Sequence, residues 1–171
     1  MNTGQLLITL GAMFILALVV LRVNNTFLST TDIMSNTKFG VLAVSLGTSI
    51  IEEACGKKFD SATDTTSISD VGLLTAPTGL GPKYGEVYPN FNDFDDFNNY
   101  TRVDSSMPSA AFNISCKVCY VEPSGGKIVE VNKRTWHKKI EVTVTSRSLT
   151  KYTGVQDTVK LSTIYSYWFA R

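Results

Sequence analysis

The side chains able to do chemistry in this sequence lie in three places. Cys55, Cys116 and Cys119 carry thiols, the run "NDFDDFN" carries Asp93, Asp95, Asp96 and Asn98, and His137 is the single histidine. The C-x-x-C spacing of Cys116 and Cys119 fits a redox pair or half a zinc site. It has no second pair and no neighbouring histidine, and in a strand its two residues point to opposite faces. The acidic run offers hard oxygens at alternating positions, a donor set suited to Ca²⁺ rather than Mg²⁺. It lacks the EF-hand glycine and closing glutamate, so turn formation and Asx capping on a solvated loop compete with calcium binding. His137 sits between Trp136 and Lys138 on what reads as the polar face of a strand. There is no Ser/His/Asp constellation, no G-x-x-x-x-G-K-[ST] and no H-E-x-x-H. The expectation is a protein that is not an enzyme and takes no cofactor, calcium at Asp93, Asp95, Asp96 and Asn98 excepted.

Candidate ligands need elements to hold them, and the chain divides unevenly. Its 171 residues carry a net charge of +1, which predicts one compact domain with an appendage and no nucleic-acid partner. Apolar residues are concentrated at the front, where "GQLLITLGAMFILALVVLR" holds no charge before Arg22. No Lys or Arg precedes this run and no Ala-x-Ala follows its core, so it does not read as a cleaved secretory signal. As a helix, residues 3 to 21 would rise ~28 Å, close to the ~30 Å of a bilayer's hydrocarbon.

Helical signal continues past that run. Residues 23–32 form a polar bridge without Gly or Pro, and residues 33–56 return to helical period. Ile33, Thr37, Val41, Val44, Thr48, Ile51 and Cys55 make one face, while Phe39, Leu42, Leu46 and Ile50 make an adjacent one. Gly56 stands where a C′ glycine would end the helix. The pattern predicts one helix over residues 1–56, roughly 80 Å long, apolar in residues 1–22 and amphipathic in 33–56. One of its two rear faces can carry a head domain, and the other needs further cover, for which copies of the same helix are the economical source.

Residues 57–108 have no sustained period and are rich in Pro, Gly, Asn and Asp, which predicts an irregular loop. Residues 109–171 read as antiparallel sheet. Phe112, Ile114, Cys116, Val118 and Tyr120 alternate onto one face, as do Trp136, Ile140, Val142 and Val144, and then Val159, Leu161, Tyr165 and Tyr167. The fold class expected is α+β: a long N-terminal helix packed, through the face ending at Cys55, on a small C-terminal antiparallel sheet.

This order of parts resembles type IV pilins and pseudopilins. "LGPKYGEVYPNFNDFDDFNNY" is similar to the loop of minor pilins of the mannose-sensitive haemagglutinin type, and "KKIEVTVTS" followed by "DTVKLST" to their paired final strands. The resemblance implies a bacterial cell-surface filament, held in the inner membrane before assembly and built by pilus or secretion machinery. Its apolar half-helices would pack together in a helical homo-oligomer, which assigns assembly roles to Met1, Gln5, Leu6, Leu7, Leu10, Phe14, Leu18 and Leu21. The resemblance also implies a prepilin leader, cut either before Met1 or, as the alternative, before Gln5. Family members usually place a glutamate where this chain has Gln5, to pair with a neighbour's N-terminal ammonium. Gln5 accepts a hydrogen bond but neutralises no charge.

Cys116 falls on the apolar strand face and Cys55 on the helix stripe expected to meet it, so a Cys55–Cys116 disulfide is expected, in keeping with an oxidising extracellular setting. Closing a loop of roughly 60 residues would contribute about 3–4.5 kcal/mol in the chain-entropy model. Cys55 with Cys119, and three free thiols, are the other outcomes. Two functions compete: a structural filament subunit, or a membrane-anchored minor pilin or type II secretion pseudopilin.

Overall fold

A computed structural model describes residues 2–63, 68–150 and 156–169. Met1, given an assembly role above, lies outside them. The fold is α+β: a long N-terminal helix, α1 (Thr3–Cys55), and a five-stranded antiparallel sheet on which its second half packs. The strands are β1 (Thr101–Asp104), β2 (Phe112–Ser124), β3 (Lys127–Glu130), β4 (His137–Thr150) and β5 (Gln156–Ser166). They run in the order β1-β2-β4-β5, and β3 forms a hairpin with the end of β2. Gly125 and Gly126, both at positive φ, make that hairpin's turn, a backbone conformation that disfavours side chains. The chain separates into two compact units, Met1–Lys38 and Phe39–Arg171.

Helix α1 is uninterrupted through the polar bridge of residues 23–32. The hydroxyls of Thr26, Thr30, Thr31 and Thr37 donate to carbonyls four residues earlier. Polar side chains thus find partners within the helix itself. Its end falls at Cys55, where the Gly56 N–H bonds the Glu52 and Glu53 carbonyls. Gly56 ends the helix without adopting positive φ.

The face that meets the sheet differs from the expected one. Ala43, Gly47, Ile50 and Ala54 are the buried positions of α1, at helical spacing, flanked by half-buried Phe39, Leu42, Leu46, Ile51 and Cys55. Val41 and Val44 are exposed. Small residues win the seam because they let the helix approach closely: a Cβ on Gly47 would come within 2.7 Å of Leu161 Cδ1 on β5. Large residues at 39, 42 and 46 then wrap the sides.

The sheet's inward face follows the alternation. Phe112, Ile114, Cys116, Val118 and Tyr120 of β2 face the core with Ile140, Val142 and Val144 of β4. The segment 57–108 is more ordered than expected. It contains four short 3-10 turns, Ser61–Thr63, Val71–Leu73, Pro77–Gly79 and Phe94–Phe97, and also strand β1, so the sheet begins before residue 109. Phe59, Ile68, Leu74, Tyr120 and Tyr167 form a second apolar cluster, partly supplied by this segment.

Candidate functional site

Two places in the structure invite a functional reading. The first is the front of α1. Leu6, Leu7, Leu10, Phe14, Leu18 and Leu21 are all exposed, at 44–69 % of their full surface, and Gln5 is exposed beside them. Burying one such side chain contributes about 1.5–3 kcal/mol, so six left bare call for a cover. By length and composition α1 is able to cross a membrane. Arg22 is its first charged residue.

The second place is built around the acidic run. Phe94–Phe97 is a 3-10 turn, in which side chains three apart eclipse. Phe94 and Phe97 therefore both enter the core, where they are fully buried. Asp93 Oδ1 accepts the N–H groups of Asp95 and Asp96, and Asp96 Oδ2 accepts that of Asp93, a reciprocal capping box. Asn98 Oδ1 accepts from Val118 N at 2.9 Å, and its Nδ2 donates to the Leu80 carbonyl. Next to this turn, Lys58 and Asp93 form a parallel bridge, and Phe94 N–H donates to the Lys58 carbonyl at 2.8 Å. That bridge carries Asp60 into the same buried space.

A lysine closes the cluster. Lys138 of β4 is fully buried, and its Nζ donates to Asp95 Oδ1 at 2.5 Å, Asp60 Oδ2 at 2.8 Å and the Phe59 carbonyl at 2.8 Å. The rings of Phe59 and Tyr120 lie 4.7 and 5.4 Å from the same nitrogen. Burial alone would raise the Asp60 carboxyl. The Lys138 charge and hydrogen bond, with the N–H groups of Ala62 and Thr75, outweigh it and hold Asp60 below its ordinary value. Asp93 moves the other way: burial first, then the charge of Asp95, push it up to about 8. Burial also raises Asp96, against the N–H groups of Asn92 and Asp93.

The expectation of calcium at Asp93, Asp95, Asp96 and Asn98 placed these residues on a solvated loop. The turn is buried instead, and these side chains bond backbone N–H groups, a backbone carbonyl and the Lys138 ammonium, while Asp93 Oδ2 and Asp96 Oδ1 stay buried without a hydrogen-bonding partner. Among the described residues no group of acidic, histidine or cysteine side chains is placed to hold a metal ion.

The expected Cys55–Cys116 disulfide is not formed in this structure, where Cys55, Cys116 and Cys119 are free thiols. Cys116 is inward on β2. Cys55 is half-buried against the core cluster to which Cys116 belongs. Cys119 pairs with Lys139 on the opposite face of the sheet. His137 is half-buried, with Nδ1 2.7 Å from Ser166 Oγ.

No protein-family model, curated protein or solved structure matches this chain.

Asp60 and Lys138 were not singled out in the sequence, although one signal was present. Lys138 stands at an even position between Trp136 and Ile140, and the two-residue period puts it on the apolar face. Asp60 carries no such mark, because its burial depends on contacts distant in sequence.

Proposed function

We propose that this chain is a structural subunit of an extracellular type IV pilus-like filament. The observation that carries this reading is the division of α1 into a segment that buries nothing and a segment committed to the head. The front segment sits in the inner membrane before assembly. It then leaves lipid for a helical bundle of its own copies, with Leu6, Leu7, Leu10, Phe14, Leu18 and Leu21 as the contact residues. Exposed Val41, on the side of α1 turned away from the sheet, and Val44, on its flank, extend the apolar contact surface. Trp168, exposed at the end of the sheet beside buried Tyr167, adds an aromatic group to the head's surface.

Gln5 leaves the N-terminal ammonium of a neighbour without an anionic partner in such a bundle. Fewer ammonium groups would be buried in a filament that uses this subunit sparingly, and this favours the second reading, a membrane-anchored minor pilin or secretion pseudopilin. Electron microscopy of sheared cell-surface material separates the two. Filaments composed chiefly of this chain, abolished by Leu10→Asp, support the main proposal. Recovery only from detergent-solubilised membranes overturns it in favour of the second.

A further inference from the structure

The Lys138 cluster is more elaborate than a loop anchor requires. Its ammonium is held against the carboxyl group of Asp95 at 2.5 Å, with both side chains shut off from water. Asp95 Oδ1 accepts from Lys138 Nζ, and the neighbouring carboxyl group of Asp93 interacts with the same side chain. Asp60, by contrast, accepts from Ala62 N, Thr75 N and Thr75 Oγ1 besides Lys138. Hydrogen bonds that fix Asp60 as an anion make it a poor electrophile and keep it ionised against the Lys138 ammonium. A third carboxyl, Asp93, adjoins Asp95 and keeps Oδ2 buried without a partner. Phe59, Phe94 and Tyr120, all fully buried, wall the space.

We propose that Lys138 Nζ and Asp95 Cγ are the reacting atoms of an intramolecular isopeptide bond. Asp60 takes a proton from the Lys138 ammonium, and the free amine adds to Cγ of Asp95. The C–O bond to one Asp95 oxygen then breaks. That oxygen leaves as water, carrying the two protons that nitrogen gives up, relayed through Asp60 and Asp93. Ammonium plus carboxylate become amide plus water, with no oxidant, reductant or cofactor consumed. Two features favour the reaction. Fixed contact between reacting groups replaces a bimolecular encounter and gives effective molarities of roughly 10⁵–10⁸ M. The product also exchanges the desolvated Lys138 and Asp95 charges for one neutral amide, and Asp60 keeps the donors Ala62 N, Thr75 N and Thr75 Oγ1.

Such a bond would tie the loop segment to the middle of the sheet across 43 positions of chain. A covalent closure of this kind restricts the unfolded chain as a disulfide does, in a head whose cysteines stay free. In a filament under tension it would keep each head closed.

Mass spectrometry tests this on the full chain purified in detergent, denatured and digested with protease, beside Lys138→Arg treated identically. The expected result is one branched species joining the Lys138 and Asp95 peptides, lighter than their sum by one water and missing from Lys138→Arg. Recovery of both wild-type peptides as linear chains of full mass would overturn the proposal. A branch between Lys138 and Asp60 would overturn the choice of Asp95. Because the wild-type digest decides by itself, the outcome does not depend on how well the variant folds.

Discussion

Lys138 Nζ lies 2.8 Å from Asp60 Oδ2, and both side chains are fully shielded from water. The pair joins the segment just beyond α1 to the central strand β4, while the same ammonium holds Asp95 of the Phe94–Phe97 turn. Removing one partner leaves a buried charge without compensation, which costs about 3–5 kcal/mol. Lys138→Met, which also removes the amine of the proposed bond, should therefore lower stability by at least that amount in denaturant unfolding of the detergent-solubilised chain. A loss under ~1 kcal/mol would show that the cluster is wet and weakly coupled.

Asp93 predicts a dependence on pH. Its folded-state value is raised to about 8 from 3.8, so between these values the folded chain holds a proton that the unfolded chain has lost. Stability from this group is full below about pH 4 and falls as pH rises towards 8. Asp93→Asn keeps an oxygen for the N–H groups of Asp95 and Asp96 but cannot ionise. The melting temperature of Asp93→Asn should gain on that of the wild type steadily from pH 4 to pH 8. Parallel curves would place the Asp93 carboxyl in an ordinary environment.

Two glycines of α1 should respond in opposite ways. At Gly47 an added Cβ meets Leu161 Cδ1 at 2.7 Å and Val144 Cγ2 at 3.5 Å, so the branched side chain of Gly47→Val should cost about 1–3 kcal/mol through overpacking. At Gly40 nothing lies within 4 Å, and Gly40→Ala should gain about 0.5–1 kcal/mol from reduced backbone freedom in the unfolded chain. Equilibrium unfolding of the two variants checks the contrast.

The cysteines give a direct chemical assay. Cys116 is buried, and burial pushes its thiol up to about 12, so alkylation of Cys116 should be slow until the chain unfolds. Unfolding without reductant should then release three reactive thiols. A shortfall of two would restore a disulfide.

Assembly can be separated from folding at Val41 and Val44, which are exposed on α1, Val41 on the far side from its seam with the sheet and Val44 on the flank. Val41→Asp and Val44→Asp should each reduce sheared surface filament. Head stability should change by no more than about 0.5 kcal/mol. Filament yield equal to wild type would remove this face from the subunit contacts.

What the amino-acid sequence determined by itself was whatever repeats along the chain. The apolar front, the helical period up to Cys55 and the two-residue alternation of β2, β4 and β5 each recur over many residues, so local geometry reads them without knowledge of neighbours. Tertiary structure decided the rest, because it turned on which faces meet. Gly47 and Ala43 bear no large apolar side chain, yet they form the helix seam, since closeness of approach outweighs side-chain size there. The run Asp93–Asn98 has the composition of a solvated loop, but Phe94 and Phe97 pull it into the core and Lys138 compensates its charge. Asp60 and Lys138 are 78 positions apart, and only the packed chain brings the carboxylate and the ammonium into one dry pocket.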